Sequence, residues 1–193
     1  MAVDLYLIRH GATAWSLTGQ HTSRTDLPLL PEGEEEARRL GEHLRDARFV
    51  AVWSSDRLRA IRTAELAGLG QPRVAPLLRE FDYGEYEGLT SEEIRRDRPG
   101  WQLYVDGCPG GESPAEVAVR ARAFLASLEG VEGAVAVCSH GHLLRALGIV
   151  WLGLDIAAAG SLALDTASVG VLHEGSGGRL AERWNWTPRL VPG

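Results

Sequence analysis

The chain has 193 residues, 45% hydrophobic and 24% charged, which predicts one domain over residues 1–193 with a single substantial core and no apolar run long enough to span a membrane. A net charge of −6 supplies no broad basic surface and argues against nucleic acid as a partner. Cys108 and Cys138 are the only cysteines and lack C-x-x-C spacing, so both are expected reduced; a first strand beginning at Val3 leaves no space for a signal peptide, and a cytoplasmic setting is expected.

Residues 3–8 are almost all apolar, the pattern of a strand buried on both faces of a parallel sheet. Residues 34–45 place Ala37, Leu40 and Leu44 at helical spacing, with Pro31 available to open the helix. A second strand is read at 49–53, followed by a helix through Ala60 and Ala64 that Ser54, Ser55 or Asp56 is expected to cap. Thr90 with Glu93, and Ser113 with Glu116, have capping-box spacing. The second box opens a helix carrying Val117, Ala121, Phe124 and Leu128 on one face, which leads to a strand at 134–138 and a helix after Gly141. Residues 168–173 and 180–184 flank a glycine turn and read as an antiparallel edge pair, which a second copy of the chain could cover to form a homodimer. This alternation predicts an α/β fold of three layers, a mostly parallel central sheet with helices on both faces.

In such sheets ligands gather beyond the carboxyl ends of the strands. Arg9-His10, the 56–59 turn and Ser139-His140 each follow a predicted strand, so they are expected to converge. A neutral imidazole is a good nucleophile near pH 7, provided one ring nitrogen holds its proton on an acceptor and the other presents its lone pair. Gly11 can provide that acceptor, its backbone carbonyl.

The ordered motifs Arg9-His10-Gly11, Ser55-Asp56-Arg57-Leu58-Arg59-Ala60, Leu78-Arg79-Glu80 and Ser139-His140-Gly141-His142 together resemble the histidine phosphatase (phosphoglycerate mutase-like) superfamily. The resemblance runs from Leu7 to about Arg145 and implies a single domain of that family. It also implies roles: His10 as phosphorylated nucleophile, Arg9 and Arg59 as ligands of the transferring group, His140 as the second pocket histidine, and Glu80 as proton donor. The chemistry agrees, because phosphoryl transfer depends mainly on positioning and on charge stabilisation of the equatorial oxygens, which arginine forks match. No metal ion or cofactor is required. An alkoxide leaving group needs a proton, so acidic conditions are expected to favour turnover. Glu87 is the alternative acid, while Arg57 and Arg62 read as surface and His142 as a rim or packing residue.

The segment from Trp15 to Asp26 resembles the phosphate-proximal loop of the family, with Ser16 where many members carry asparagine. Ser16, His21, Thr22 and Ser23 from this loop, with Tyr83 and Gly141, form the expected substrate-binding set. Gly107-Cys108-Pro109-Gly110-Gly111-Glu112 resembles a segment of a subgroup that contains acid phosphatases and sugar-bisphosphatases. Sixty positions separate Glu80 from His140, too few for the covering insertion of the cofactor-dependent mutases. The expected activity is therefore an acid phosphatase-like phosphomonoesterase acting on a small phosphorylated metabolite; a phosphoglycerate mutase and a non-catalytic phospholigand-binding protein are the alternatives.

Overall fold

The computed structural model describes residues 3–188. In chain order the elements are β1 (Val3–Arg9), α1 (Ala14–Thr18), α2 (Pro31–Leu44), β2 (Phe49–Ser54), α3 (Leu58–Leu66), β3 (Arg73–Val74), α4 (Ser91–Asp97), α5 (Leu103–Asp106), α6 (Pro114–Ala126), β4 (Gly133–Ser139), α7 (Gly141–Trp151), β5 (Val169–Gly175) and β6 (Gly178–Trp186). They build one six-stranded sheet in the order β3-β2-β4-β1-β5-β6. The first four strands run parallel, while β5 pairs antiparallel to β1 and β6 antiparallel to β5. This is the expected α/β architecture.

Alternation along the central strands assigns each side chain to a layer. Leu5 and Leu7 of β1, level with Val135 and Val137 of β4, are buried with Val117, Ala121 and Phe124 of α6 and Leu143, Leu144 and Leu147 of α7. Ile8, Ala136 and Cys138 point the other way, toward Leu40 and Leu44 of α2 and Ala64 of α3. A strand covered on both faces has little polar side to show, which is why residues 3–8 are apolar but for Asp4, whose partly exposed carboxylate pairs with His173. Cys108 and Cys138 are free and buried, and burial pushes both thiols up to about 12. Among the described residues no helix is long and apolar enough to cross a membrane.

Both capping boxes form: Thr90 with Glu93 opens α4 and Ser113 with Glu116 opens α6. The cap of α3 differs from expectation. Arg57 occupies the capping position without a side-chain bond, and the Leu58 N–H donates at 3.0 Å to the Asp26 carboxylate. A carboxylate distant in sequence thus replaces the local caps Ser54, Ser55 and Asp56, satisfying an orphan donor from across the fold.

The turn after His10 packs backbone on backbone against α2. A Cβ on Gly11 would lie 2.2 Å from the Gly33 carbonyl oxygen, and one on Gly33 would lie 2.2 Å from the Ala12 carbonyl oxygen. Neither atom can rotate away. Gly11→Ala is expected to destabilise by about 1–3 kcal/mol, read as a Tm several degrees lower; an unchanged Tm would contradict this packing.

Candidate active site

Three parallel strands end at one place. Past β1, the His10 N–H donates to the Ser139 carbonyl at 3.0 Å; past β2, the Ser55 N–H donates to the Cys138 carbonyl at 3.0 Å. The main chain therefore ties together the strand ends that carry Arg9-His10, Ser55 and Ser139-His140. Short-range sequence logic placed these residues at strand termini, and sheet pairing brings them into register.

His10 is buried, and its Nδ1 lies 2.8 Å from the Gly11 carbonyl oxygen. That carbonyl can only accept, so Nδ1 carries the proton and Nε2 the lone pair. Burial, then the Arg59 and Arg9 cations, hold the imidazole well below the usual histidine range, so it is neutral at pH 7. The His10 and His140 rings meet edge to face with centroids 5.2 Å apart.

Arg59 is completely buried. Its two terminal nitrogens donate at 3.1 Å to the Thr25 and Thr22 carbonyls, and Asp26 lies 3.6 Å away. Arg9 is held through the Leu164 carbonyl. In both arginines Nε is buried without a partner. His140 places Nε2 2.8 Å from the Ser55 hydroxyl, whose oxygen also accepts from the Arg57 N–H at 3.4 Å. Among the described residues the Ser55 hydroxyl has no other acceptor, so its proton goes to Nε2 and leaves Nδ1–H as a buried donor with no partner. Burial and Arg59 also depress His140, so it serves as a neutral donor. Ser55 thus sets the tautomer of His140, a role sequence reasoning missed because the serine reads equally well as a helix cap.

Glu80 sits against the N-terminus of α7. Its Oε1 accepts from the Phe81 and Leu143 N–H groups at 2.9 and 2.8 Å, and Oε2 accepts from the His142 N–H at 3.0 Å. Glu87 is committed elsewhere, accepting from the Ser23 and Thr25 N–H groups, so it shapes the 22–25 loop that grips Arg59. From α6, Arg120 donates to the carbonyls of Leu77, Arg79 and Glu80 and forks onto the Glu112 carboxylate, which also accepts from the Asp82 N–H. The acid-bearing loop is clamped from behind by this pair.

A cavity of about 300 Å³ opens above these groups, lined by Arg9, His10, Ser16, His21, Thr22, Glu80, Tyr83 and Gly141 of the expected set, together with Trp15, His142 and Arg145. Arg59 and His140 are fully buried and do not line it, and the His140 ring packs against that of His10. Ser23 does not line it; its hydroxyl turns 3.5 Å from the Glu80 carbonyl oxygen. The Ser16 hydroxyl is occupied in the α1 capping box, donating to the Thr13 carbonyl and accepting from the Thr13 N–H. Thr22 contributes its carbonyl to Arg59. A Cβ on Gly141 would lie 3.2 Å from Arg9 Nε, so glycine gives that guanidinium its space. The Tyr83 hydroxyl lies 2.6 Å from His142 Nδ1 and has no other acceptor among the described residues, so it donates to that nitrogen. Gly141 and Arg145 lie four apart on α7, on one face of the helix, and that spacing was the available signal for Arg145. Among the described residues no group of three or more His, Cys, Asp or Glu side chains converges as a metal site.

Two guanidiniums, two imidazoles and one carboxylate gather where the parallel strands end; residues 5–187 match the sequence model of the histidine phosphatase superfamily (branch 1), and the chain belongs to it. Among its relatives, an acid phosphatase of Mycobacterium tuberculosis is 42% identical over 86% of this chain and 84% of its own length. The sedoheptulose 1,7-bisphosphatase of Saccharomyces cerevisiae is 34% identical over 78% of this chain and 68% of its own. The solved structure of the Mycobacterium tuberculosis open reading frame Rv3214 superposes with a TM-score of 0.91 at 39% identity, covering 95% of this chain and 97% of that one.

Proposed function

We propose that this protein hydrolyses small phosphorylated metabolites in two steps through a phosphohistidine on His10. The family and its phosphatase relatives make it a phosphoric monoester hydrolase; the assignment of steps to residues rests on the site. One observation carries it: a neutral His10 with its proton held by Gly11 stands beside three buried N–H donors that lack partners, Arg9 Nε, Arg59 Nε and His140 Nδ1. Buried donors left unsatisfied are rare and call for an acceptor; a phosphoryl group supplies several.

In the first step the His10 Nε2 lone pair forms the N–P bond as the ester P–O bond breaks, and Glu80 gives its proton to the leaving oxygen. In the second, the Glu80 carboxylate takes a proton from water, whose oxygen attacks phosphorus and displaces His10, releasing inorganic phosphate. The test is phosphate release across a metabolite panel beside a phosphoglycerate mutase assay primed with 2,3-bisphosphoglycerate. Isomerisation of 3-phosphoglycerate without net phosphate release would favour the mutase, and silence in both would leave a phospholigand-binding protein.

The depressed His10 also fixes a pH profile. Because the nucleophile is the neutral ring and its folded pKa lies below the ordinary value, kcat/KM should hold as pH falls through about 6.5, where a free histidine is half protonated. The same displacement opposes folding in acid. Below about 6.5 the unfolded chain takes up protons that buried His10, His140 and His142 refuse, so stability is fullest above that pH and declines beneath it. Activity and Tm measured between pH 7.5 and 5 should therefore diverge; a parallel loss of both would refute the neutral-imidazole assignment.

A further inference from the structure

Beside the catalytic cavity lies a second, of about 470 Å³, which shares His21, Ser91, His142 and Arg145 with it. Its lining includes two guanidiniums, Arg95 and Arg145, and no aspartate or glutamate. Within a chain of net charge −6, that is a local inversion of sign. The neighbours of Arg95 on α4 behave differently: Arg96 pairs with Glu92, and Arg98 reaches Asp106. Arg95 instead donates its Nε to the Trp101 carbonyl at 3.1 Å, which holds the side chain against the cavity wall. Arg145 is anchored through the Gly141 and Leu162 carbonyls at 3.2 and 2.9 Å and lies over the Tyr104 ring, 5.4 Å from its centroid. Neither makes a salt bridge among the described residues.

Arg95 is held by Nε alone and Arg145 by Nε and one terminal nitrogen, so each keeps terminal N–H groups for a ligand. A guanidinium fixed by neutral carbonyls keeps its full charge and has surrendered its conformational freedom before anything binds. At the junction of the two cavities, the Tyr83 hydroxyl donates to His142 Nδ1, so Nε2 carries the proton. The passage thereby offers one more donor.

We propose that the second cavity binds a second acidic group, carboxylate or phosphate, on the leaving-group half of the substrate, and that the preferred substrates are phosphomonoesters bearing two anionic groups. The proposal rests on the hydrolase reading above, with the scissile phosphate at His10. It makes Arg95 and Arg145 specificity-determining residues, Arg145 where the two cavities join and Arg95 in the second cavity alone.

Two matched pairs test it: 3-phosphoglycerate against glycerol 3-phosphate, and fructose 1,6-bisphosphate against fructose 6-phosphate, with p-nitrophenyl phosphate as an additional probe. In at least one pair the doubly acidic member should have a kcat/KM at least tenfold higher, and which pair shows this identifies the anion. Arg95→Gln, on the exposed face of a short helix, should lower that ratio by about tenfold, the size of one charge-assisted hydrogen bond, and Arg145→Gln should do the same. Equal kcat/KM within both pairs, ratios untouched by both substitutions, or turnover of p-nitrophenyl phosphate alone would overturn the second subsite and leave the hydrolase intact. Silence on all five esters would overturn the hydrolase reading beneath it.

Discussion

His10→Ala should reduce turnover by on the order of 10⁵-fold or more, the scale seen when a covalent nucleophile is deleted. The ring makes one hydrogen bond, to the adjacent Gly11 carbonyl, and no other element hangs on it, so the variant should fold. Arg9, Arg59 and His140 keep their unpartnered donors, so inorganic phosphate should still bind and raise Tm. Acid-quenched enzyme should yield a phosphorylated peptide containing residue 10 from the wild type and none from the variant. Full turnover in His10→Ala would remove the covalent route and leave the cage as a binding device.

Glu80→Gln should lower turnover of alkyl phosphates by about 10²–10⁴-fold, the usual contribution of a positioned acid. The effect should shrink for p-nitrophenyl phosphate, whose phenolate leaves without a proton. That contrast separates chemistry from structural damage. Oε1 already accepts two N–H groups while Oε2 accepts one, so Oε2 keeps the lone pair on which a proton can travel. Were the carboxylate's only task to accept the N–H groups at the start of α7, the amide would turn N–H against the His142 N–H and depress both substrates alike through mispositioning. Equal losses on both ester classes would assign Glu80 to holding α7 and send the search for the acid elsewhere.

The layers and the strand ends were legible because they depend on local rules. A run of apolar residues at 3–8, a capping box at 113–116 and glycine after histidine each carry their own physical reason. Contacts between distant segments were not. Asp26 caps α3 from another loop, and no spacing announces that. Ser55 looked like a cap and instead orients His140, because its hydroxyl found an imidazole from β4 before it found a helix. Ser16 went the opposite way, from expected phosphate contact to capping box, since a serine hydroxyl bonds readily to nearby backbone. Arg145 sat in plain view beside the second histidine, but only its placement with Arg95 at one cavity gives its charge a purpose.

The Arg120–Glu112 clamp has a further consequence. Glu112 ends the glycine-rich 107–112 stretch, and Arg120 grips both it and the carbonyls of Arg79 and Glu80. A lengthened or shortened 107–112 segment would therefore tug on the backbone that carries Glu80. In this scaffold two loops distant in sequence are geared together through one ion pair, and a lineage that altered the length of one would have to retune the other.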